Sequence, residues 1–317
     1  KPVVSVCAVR TGSGKSQTSR KVATLLKEKG RRVAVIRHPM PYGDLVKQKV
    51  QRFATYADLD KHECTIEERE EYEPHIDRGI IVYAGVDYGA ILRRAEKEAD
   101  VILWDGGNND FSFYKSDLEI VVADPHRAGH ELLYHPGETN FRRAHVLVIN
   151  KMDTAEKAKI DLVLANARKV NPRAVIIRAK SPIIVRDGSR ITGKRVLVIE
   201  DGPTLTHGGM RYGAGIVAAQ KYGAAEIIDP RPCAVGSIKK TFEKYNHLDR
   251  VLPAMGYGEH QTRELARTIE RIDCDLVVSA TPIDITRVIQ VSKPILRVRY
   301  ELVEIGKPDL KEILRKF

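Results

Sequence analysis

The residues with the clearest chemical potential lie at the start of the chain, where Val3 to Ser16 reads VVSVCAVRTGSGKS. A short apolar strand runs into a glycine-rich turn that ends in Gly14-Lys15-Ser16. In such a turn backbone N–H groups point inward around an anion, and the following helix offers its N-terminal dipole. Lys15 adds a mobile positive charge and Ser16 a hydroxyl for Mg²⁺. Gly12, Ser13, Gly14, Lys15, Ser16 and Gln17 are therefore candidate nucleotide-binding residues. The pattern G-x-x-x-x-G-K-[ST] places a glycine at position 9, where this chain has Val9. Arg10, five residues before Lys15, is either a second cation for a transferred phosphoryl group or a solvated arginine at the loop mouth.

Two further segments fit a nucleotide site. Val101-Ile102-Leu103-Trp104-Asp105 is an apolar strand ending in a carboxylate, which can hold Mg²⁺ directly or through water. Ser16 and Asp105 are thus the metal candidates, and Lys15, Arg10 and Asp105 the catalytic ones. Asn150-Lys151-Met152-Asp153 follows another apolar strand. An N-K-x-D at that position reads a guanine base through its aspartate, although relatives of this architecture keep a similar Asn and use ATP. Asn150, Lys151 and Asp153 join the nucleotide set, with ATP or GTP left open.

Three more loops follow apolar strands: Arg37-His38-Pro39-Met40-Pro41-Tyr42-Gly43-Asp44, Asp124-Pro125-His126-Arg127-Ala128-Gly129-His130-Glu131, and Glu200-Asp201 through His207-Gly208-Gly209-Met210-Arg211. C-terminal strand ends of a parallel sheet converge on one crevice. Arg37, His38, His126, Arg127, His130, Asp201, His207 and Arg211 are therefore expected at one rim, as a site for a phosphorylated small molecule. Glycines 208, 209, 213 and 215 are expected to form a second phosphate cradle.

The elements that must position these loops alternate along the chain. Val33–Ile36, Ile80–Tyr83, Val101–Trp104, Glu119–Ala123, Val146–Ile149 and Val175–Ile177 read as parallel strands, with helices at Tyr88–Ala99 and Ala155–Lys169 between them. Ile183–Gly193 reads as a polar hairpin or linker. A second α/β series follows, as a sheet of its own or an extension of the first. The fold class is α/β, a doubly wound, mostly parallel sheet of P-loop NTPase type with a C-terminal α/β extension or second domain. The expected organisation is a P-loop nucleotide-binding domain over 1–182, a linker or hairpin over 183–194 and a C-terminal α/β domain contributing to the substrate site over 195–317.

Composition narrows the partners. A hydrophobic content of 43% over 317 residues suits a globular protein, and no apolar run approaches the ~20 residues of a membrane span. The four cysteines are scattered without a C-x-x-C, which argues against a disulfide framework or zinc site and for a cytoplasmic setting. The net charge of +11 allows nucleic acid, but Lys and Arg are dispersed among 42 acidic residues. Dispersion favours a small polyanion over nucleic acid, and a homodimer is compatible with this reading.

Taken together, V-R-T-G-S-G-K-S, R-H-P-M-P-Y-G-D, W-D-G-G-N-N-D, D-P-H-R-A-G-H-E, P-G-E-T-N, I-N-K-M-D and E-D-G-P-T-L-T-H-G-G-M resemble the cyclic 2,3-diphosphoglycerate synthetase family, P-loop homologues often labelled GTPases. The resemblance spans essentially the whole chain. It implies an additional N-terminal domain in longer members. It also implies an NTP- and Mg²⁺-dependent ligase that closes the intramolecular phosphoanhydride of 2,3-bisphosphoglycerate, releasing NDP and phosphate. The alternative is a GTPase switch or metallochaperone-type NTPase, although no C-x-C-C metal relay is visible.

Overall fold

The computed structural model describes residues 1–40, 43–107, 110–206, 208–255 and 258–317; His207 therefore lies outside the described residues. In chain order the strands are β1 (Val3–Ala8), β2 (Val33–Arg37), β3 (Gln51–Phe53), β4 (Ile81–Ala84), β5 (Val101–Trp104), β6 (Leu118–Ala123), β7 (Val146–Ile149), β8 (Val175–Lys180), β9 (Ile183–Val185), β10 (Arg195–Asp201), β11 (Glu226–Ile227), β12 (Leu252–Ala254), β13 (Leu276–Ala280), β14 (Ile295–Tyr300) and β15 (Val303–Glu304). The helices are α1 (Lys15–Glu28), α2 (Tyr56–Lys61), α3 (Ile66–Ile76), α4 (Tyr88–Glu98), α5 (Gly137–Arg143), α6 (Lys157–Val170), α7 (Gly202–Thr206), α8 (Ala214–Lys221), α9 (Gly236–Lys244), α10 (Glu259–Arg271) and α11 (Leu310–Ile313).

The chain divides into two compact units. The first comprises Lys1–His62, His75–Pro182 and Glu301–Phe317. Its sheet runs β15-β8-β7-β6-β1-β5-β2-β4-β3. All neighbours are parallel except the two edges, where β3 is antiparallel to β4 and β15 to β8. The strand β1 is buried along its whole length and apolar except at Ser5, because it is central, flanked by β5 and β6. Trp104, Tyr83, Phe141, Ile102 and Ile36 fill this unit's core.

The second unit comprises Glu63–Pro74 and Ile183–Tyr300. Its sheet runs β11-β10-β13-β14-β9, with β12 also paired to β10. Only β9 is antiparallel, against β14. Leu197, Ile199, Leu265, Val277 and Val278 are central to its core, and Ile66 from α3 packs among them.

The C-terminal series thus has a sheet of its own. The division also differs from the expected one in two exchanged segments. Residues 63–74 enter the second unit because Ile66 needs an apolar partner there, and 301–317 return to the first through the β15–β8 pairing. In the segment expected as a hairpin or linker, Ile183–Val185 forms β9 against β14, and Ile191 is fully buried. No helix among the described residues is long and apolar enough to cross a membrane.

Candidate functional site

The glycine-rich loop joins the C-terminal end of β1 to α1. Gly12 and Gly14 take positive φ values of 82° and 111°, the left-handed region that favours glycine. A Cβ on Gly14 would lie 2.2 Å from Asn150 Nδ2 and 2.6 Å from Gln17 Nε2, so the backbone is pressed against the base of the loop. Asn150 Nδ2 donates to Ser13 O at 3.0 Å, and Lys151 Nζ to Gly12 O at 2.7 Å. The N-K-x-D segment therefore braces the loop from β7. Gly14→Ala should cost about 1–3 kcal/mol in backbone strain, plus displacement of Asn150. Urea melts and nucleotide titration should show both losses, and unchanged nucleotide affinity would contradict this role for the loop.

The missing first glycine has a structural explanation. Val9 is buried in the core and donates its N–H to Val122 O at 3.0 Å. Close approach is instead needed at Gly137, where a Cβ would sit 2.2 Å from Val9 O. The glycine requirement has moved from the loop to α5.

Beneath the loop lies a buried charge cluster. Lys15 Nζ stands 2.5 Å from Asp105 Oδ1, and Arg37 Nη1 is 3.2 Å from the same oxygen. His75 Nε2 meets Asp105 Oδ2 at 3.3 Å. Burial alone would raise the Asp105 pKa, but Lys15, then Arg37, then His75 outweigh it and hold the carboxyl well below its ordinary range. Burial lowers the pKa of His75, opposed by its bond to Asp105. His75 was not singled out in the sequence. It lies near the end of a glutamate-rich helix with no motif around it, and only the fold brings it to Asp105.

The remaining sequence candidates in this unit have partners within it. Arg37 is 2% exposed, so it lies beneath the surface beside Asp105 and not at a rim. His38 Nδ1 lies 2.6 Å from Asp110 Oδ2, and the imidazole helps hold the Asp110 carboxyl down against the upward effect of burial. Arg127 Nη2 donates to Thr11 O at 2.6 Å and lies 3.4 Å from Ser13 Oγ, directly on the glycine loop. Arg10 Nη1 meets His130 Nδ1 at 3.0 Å, while its guanidinium carbon lies 4.5 Å from the Tyr134 ring centroid. Stacking on that ring fixes a residue that would otherwise be a free solvated arginine. His126 Nε2 is 2.9 Å from Thr154 Oγ1. Asp153 is exposed and accepts from Ser181 N at 3.3 Å; Ser181 Oγ in turn donates to Gln17 Oε1 at 3.1 Å.

The loop after β10 belongs to the second sheet, so the residues expected at one rim are carried by two separate sheets. Asp201 and Arg211 lie in the second unit, Asp201 at the end of β10 and Arg211 exposed. The second glycine cradle is already filled. Glu200 Oε1 accepts from Gly213 N, Gly215 N and Ile216 N at 3.1, 2.8 and 3.2 Å, so the protein's own carboxyl group occupies these donors. Burial pushes the Glu200 carboxyl up to about 8 in spite of those three donors.

That shift has a definite sign. Glu200 is raised above its ordinary 4.5, so its contribution to stability is present in acid and lost as pH rises through about 8. His75, lowered by burial, opposes this trend only until the unfolded histidine has itself lost its proton, about one pH unit above its ordinary 6.5. Stability should fall from about pH 7.5 to about pH 8, by at most about 1.4 kcal/mol per pH unit for each such proton. Glu200→Gln keeps an oxygen for the three N–H donors and should remove one proton's share of that slope in urea melts. An identical slope would refute the assignment.

The nucleotide loop suits a triphosphate. Gly12 and Gly14 give room for phosphate, the first turn of α1 is directly adjacent, and Lys15 is within the same loop. For Mg²⁺, no cluster of three His, Cys, Asp or Glu side chains occurs among the described residues. A magnesium ion here would take most of its ligands from phosphate and water, with Ser16 at the helix start and Asp105 below.

No protein-family model matches the chain. It is 68% identical over all 317 residues to the arginine synthetase ArcE of Thermococcus kodakarensis, covering 71% of that protein's length. Among solved structures it is similar to Aquifex aeolicus LpxK in complex with ATP, with a TM-score of 0.54 at 16% identity. That match covers 99% of this chain and 88% of LpxK, and supports the P-loop NTPase fold. The phosphate loop on a parallel sheet and the full-length match to a synthetase lead to one conclusion: the chain belongs to the family of arginine synthetase ArcE, and it is a nucleotide-dependent ligase.

Proposed function

We propose that this protein uses ATP and Mg²⁺ to drive the synthesis of arginine. The observation that carries the reading is the identity to an arginine synthetase along the entire chain, together with the loop geometry at Gly12–Ser16. A guanidinium carbon is made in one ligation when an amine displaces a phosphorylated oxygen from the matching urea. The γ-phosphoryl group passes to that oxygen, the C–O bond breaks as the C–N bond forms, and NDP and phosphate leave. For arginine the matching urea is citrulline and the amine is ammonia.

The residues of the chain would contribute mainly position and charge. Lys15 exchanges Asp105 for phosphate oxygen, leaving Asp105 still held by Arg37 and His75. The loop N–H groups orient the phosphates. Arg10, steadied by Tyr134 and His130, is positioned for a developing charge on the transferred group. Bound Mg²⁺ would neutralise phosphate charge, held by Ser16 and aided by Asp105. Asn150 and Lys151 brace the loop, while Asp153 is the base-facing candidate, which keeps GTP within the test.

A second reading is the cyclisation of 2,3-bisphosphoglycerate. The exposed Arg211 and the long shared motifs favour it; the acidic or backbone partners of Arg37, His38 and Arg127 weigh against it. One experiment separates the two. The protein is incubated with ATP or GTP and Mg²⁺, either with citrulline and ammonium or with 2,3-bisphosphoglycerate. Arginine is then followed by amino-acid analysis and the cyclic anhydride by phosphorus NMR. Arginine formation with stoichiometric nucleotide cleavage is expected. Nucleotide hydrolysis indifferent to either substrate would sink both ligase readings and leave the switch-type NTPase. Light scattering on the same sample tests the expected homodimer.

A further inference from the structure

The second unit carries a carboxyl pair that the nucleotide site does not use. Glu70, on α3, is 5% exposed, and both of its carboxyl oxygens are buried without a hydrogen-bond donor. Within hydrogen-bonding reach lies Asp201, the last residue of β10. Asp201 Oδ2 accepts from Thr204 Oγ1 at 2.8 Å, but its Oδ1 is also buried and unpartnered. A proton shared between the two carboxyls pairs one Glu70 oxygen with Asp201 and leaves the other Glu70 oxygen bare. The charged groups acting on them are acidic as well: Glu67 and Glu71 on α3, and Glu200 on β10. A helix that places a glutamate inside the protein facing an aspartate, with no arginine or lysine among the named charges acting on the pair, is costly unless a proton or a cation joins them.

The topology points to the same place. β10 and β13 are parallel neighbours, yet the next strand after β10 is β11 on one side, and the next after β13 is β14 on the other. Ligands of open α/β sheets bind at the C-terminal ends of strands where the order reverses in this way. Asp201 stands at that end of β10. The following residue, Gly202, has room for no side chain, since a Cβ would sit 2.4 Å from Ala254 O. The chain is thereby held tight behind the carboxylate.

We propose that Glu70 and Asp201 form a recognition site for a guanidinium group, that of arginine, at the switch point of the second unit. The assignment rests on the arginine reading of the function for its choice of ligand, and on the buried unpartnered carboxyls for its location. A planar guanidinium offers paired N–H donors to carboxylate oxygens, which ammonium cannot match in geometry. The shared proton leaves as the cation enters. Burial raises the Glu70 carboxyl well above its ordinary range and Asp201 to about 6, so the free pair retains that proton near neutrality. Arginine should therefore bind more tightly as pH rises.

Isothermal titration of the 317-residue chain tests this with two probes, arginine and methylguanidinium chloride. Glu70→Gln and Asp201→Asn should each weaken both probes by about tenfold or more while leaving ATP affinity unchanged. Glu70→Gln should not lower Tm, because it removes an unpartnered buried acid. Titration of the wild type in buffers of different ionisation enthalpy should show about one proton released per arginine bound. Wild-type affinity in both variants, or binding without proton release, overturns the site and leaves the arginine reading standing. Methylguanidinium binding that Glu70→Gln abolishes, without arginine binding, supports the site and overturns the arginine reading. Absence of binding by either probe overturns the site.

Discussion

Lys15→Ala should lower nucleotide-driven turnover by a factor of about 10³, with far less effect on folding. The reason lies in how Asp105 is held. Lys15 is the side chain within the glycine loop that can reach a bound phosphate, but it shares Asp105 with Arg37 and His75. Removing Lys15 leaves the buried carboxylate two partners, so the fold keeps its charge balance. The transition state loses the ammonium at the helix start, and Arg10, fixed by His130 and Tyr134, keeps its own place. Steady-state kinetics alongside a urea melt would separate the two effects. Turnover within tenfold of wild type would remove Lys15 from the chemistry.

Asp105→Asn should have the opposite profile, a loss of about 3–5 kcal/mol in stability. The side chain is 1% exposed, and its neutral replacement strands the Lys15 ammonium in a buried site and takes one charged partner from Arg37. Losing one partner of a buried ion pair leaves the full desolvation penalty of the other. The pH dependence gives a second check. The Asp105 pKa is depressed below its ordinary 3.8, so its contribution is present above that value and disappears as pH falls below it. The wild type should therefore lose more stability than the variant on acidification below about pH 4. Parallel acid limbs for the two proteins would show that Asp105 does not bear this charge.

Some of the site was legible in the residues. β1 reads as a buried strand because it is apolar at every position but Ser5, and Gly12 and Gly14 adopt the conformations that their position in the motif requires. Asp105 and Asn150 stand at strand ends, where an apolar run stops at a polar residue. Other features left no local trace. His75 reaches Asp105 from a helix whose glutamates suggest a solvated face, yet Glu67, Glu68, Glu70 and Glu73 are buried. The glycines before α8 have the composition of a phosphate cradle but enclose the Glu200 carboxyl group. Composition specifies that N–H groups can converge on an anion, not which anion arrives.

The sequence by itself determined an α/β chain with a phosphate loop, since strand burial, glycine conformation and helix starts depend on neighbours within a few residues. Only the tertiary structure decided which strands share a sheet, which charges neutralise each other and which are left without partners. Those outcomes depend on pairings between distant segments, as Glu70 with Asp201 and His75 with Asp105 show. Local periodicity carries no information about them, whereas burial makes their energetic consequences large.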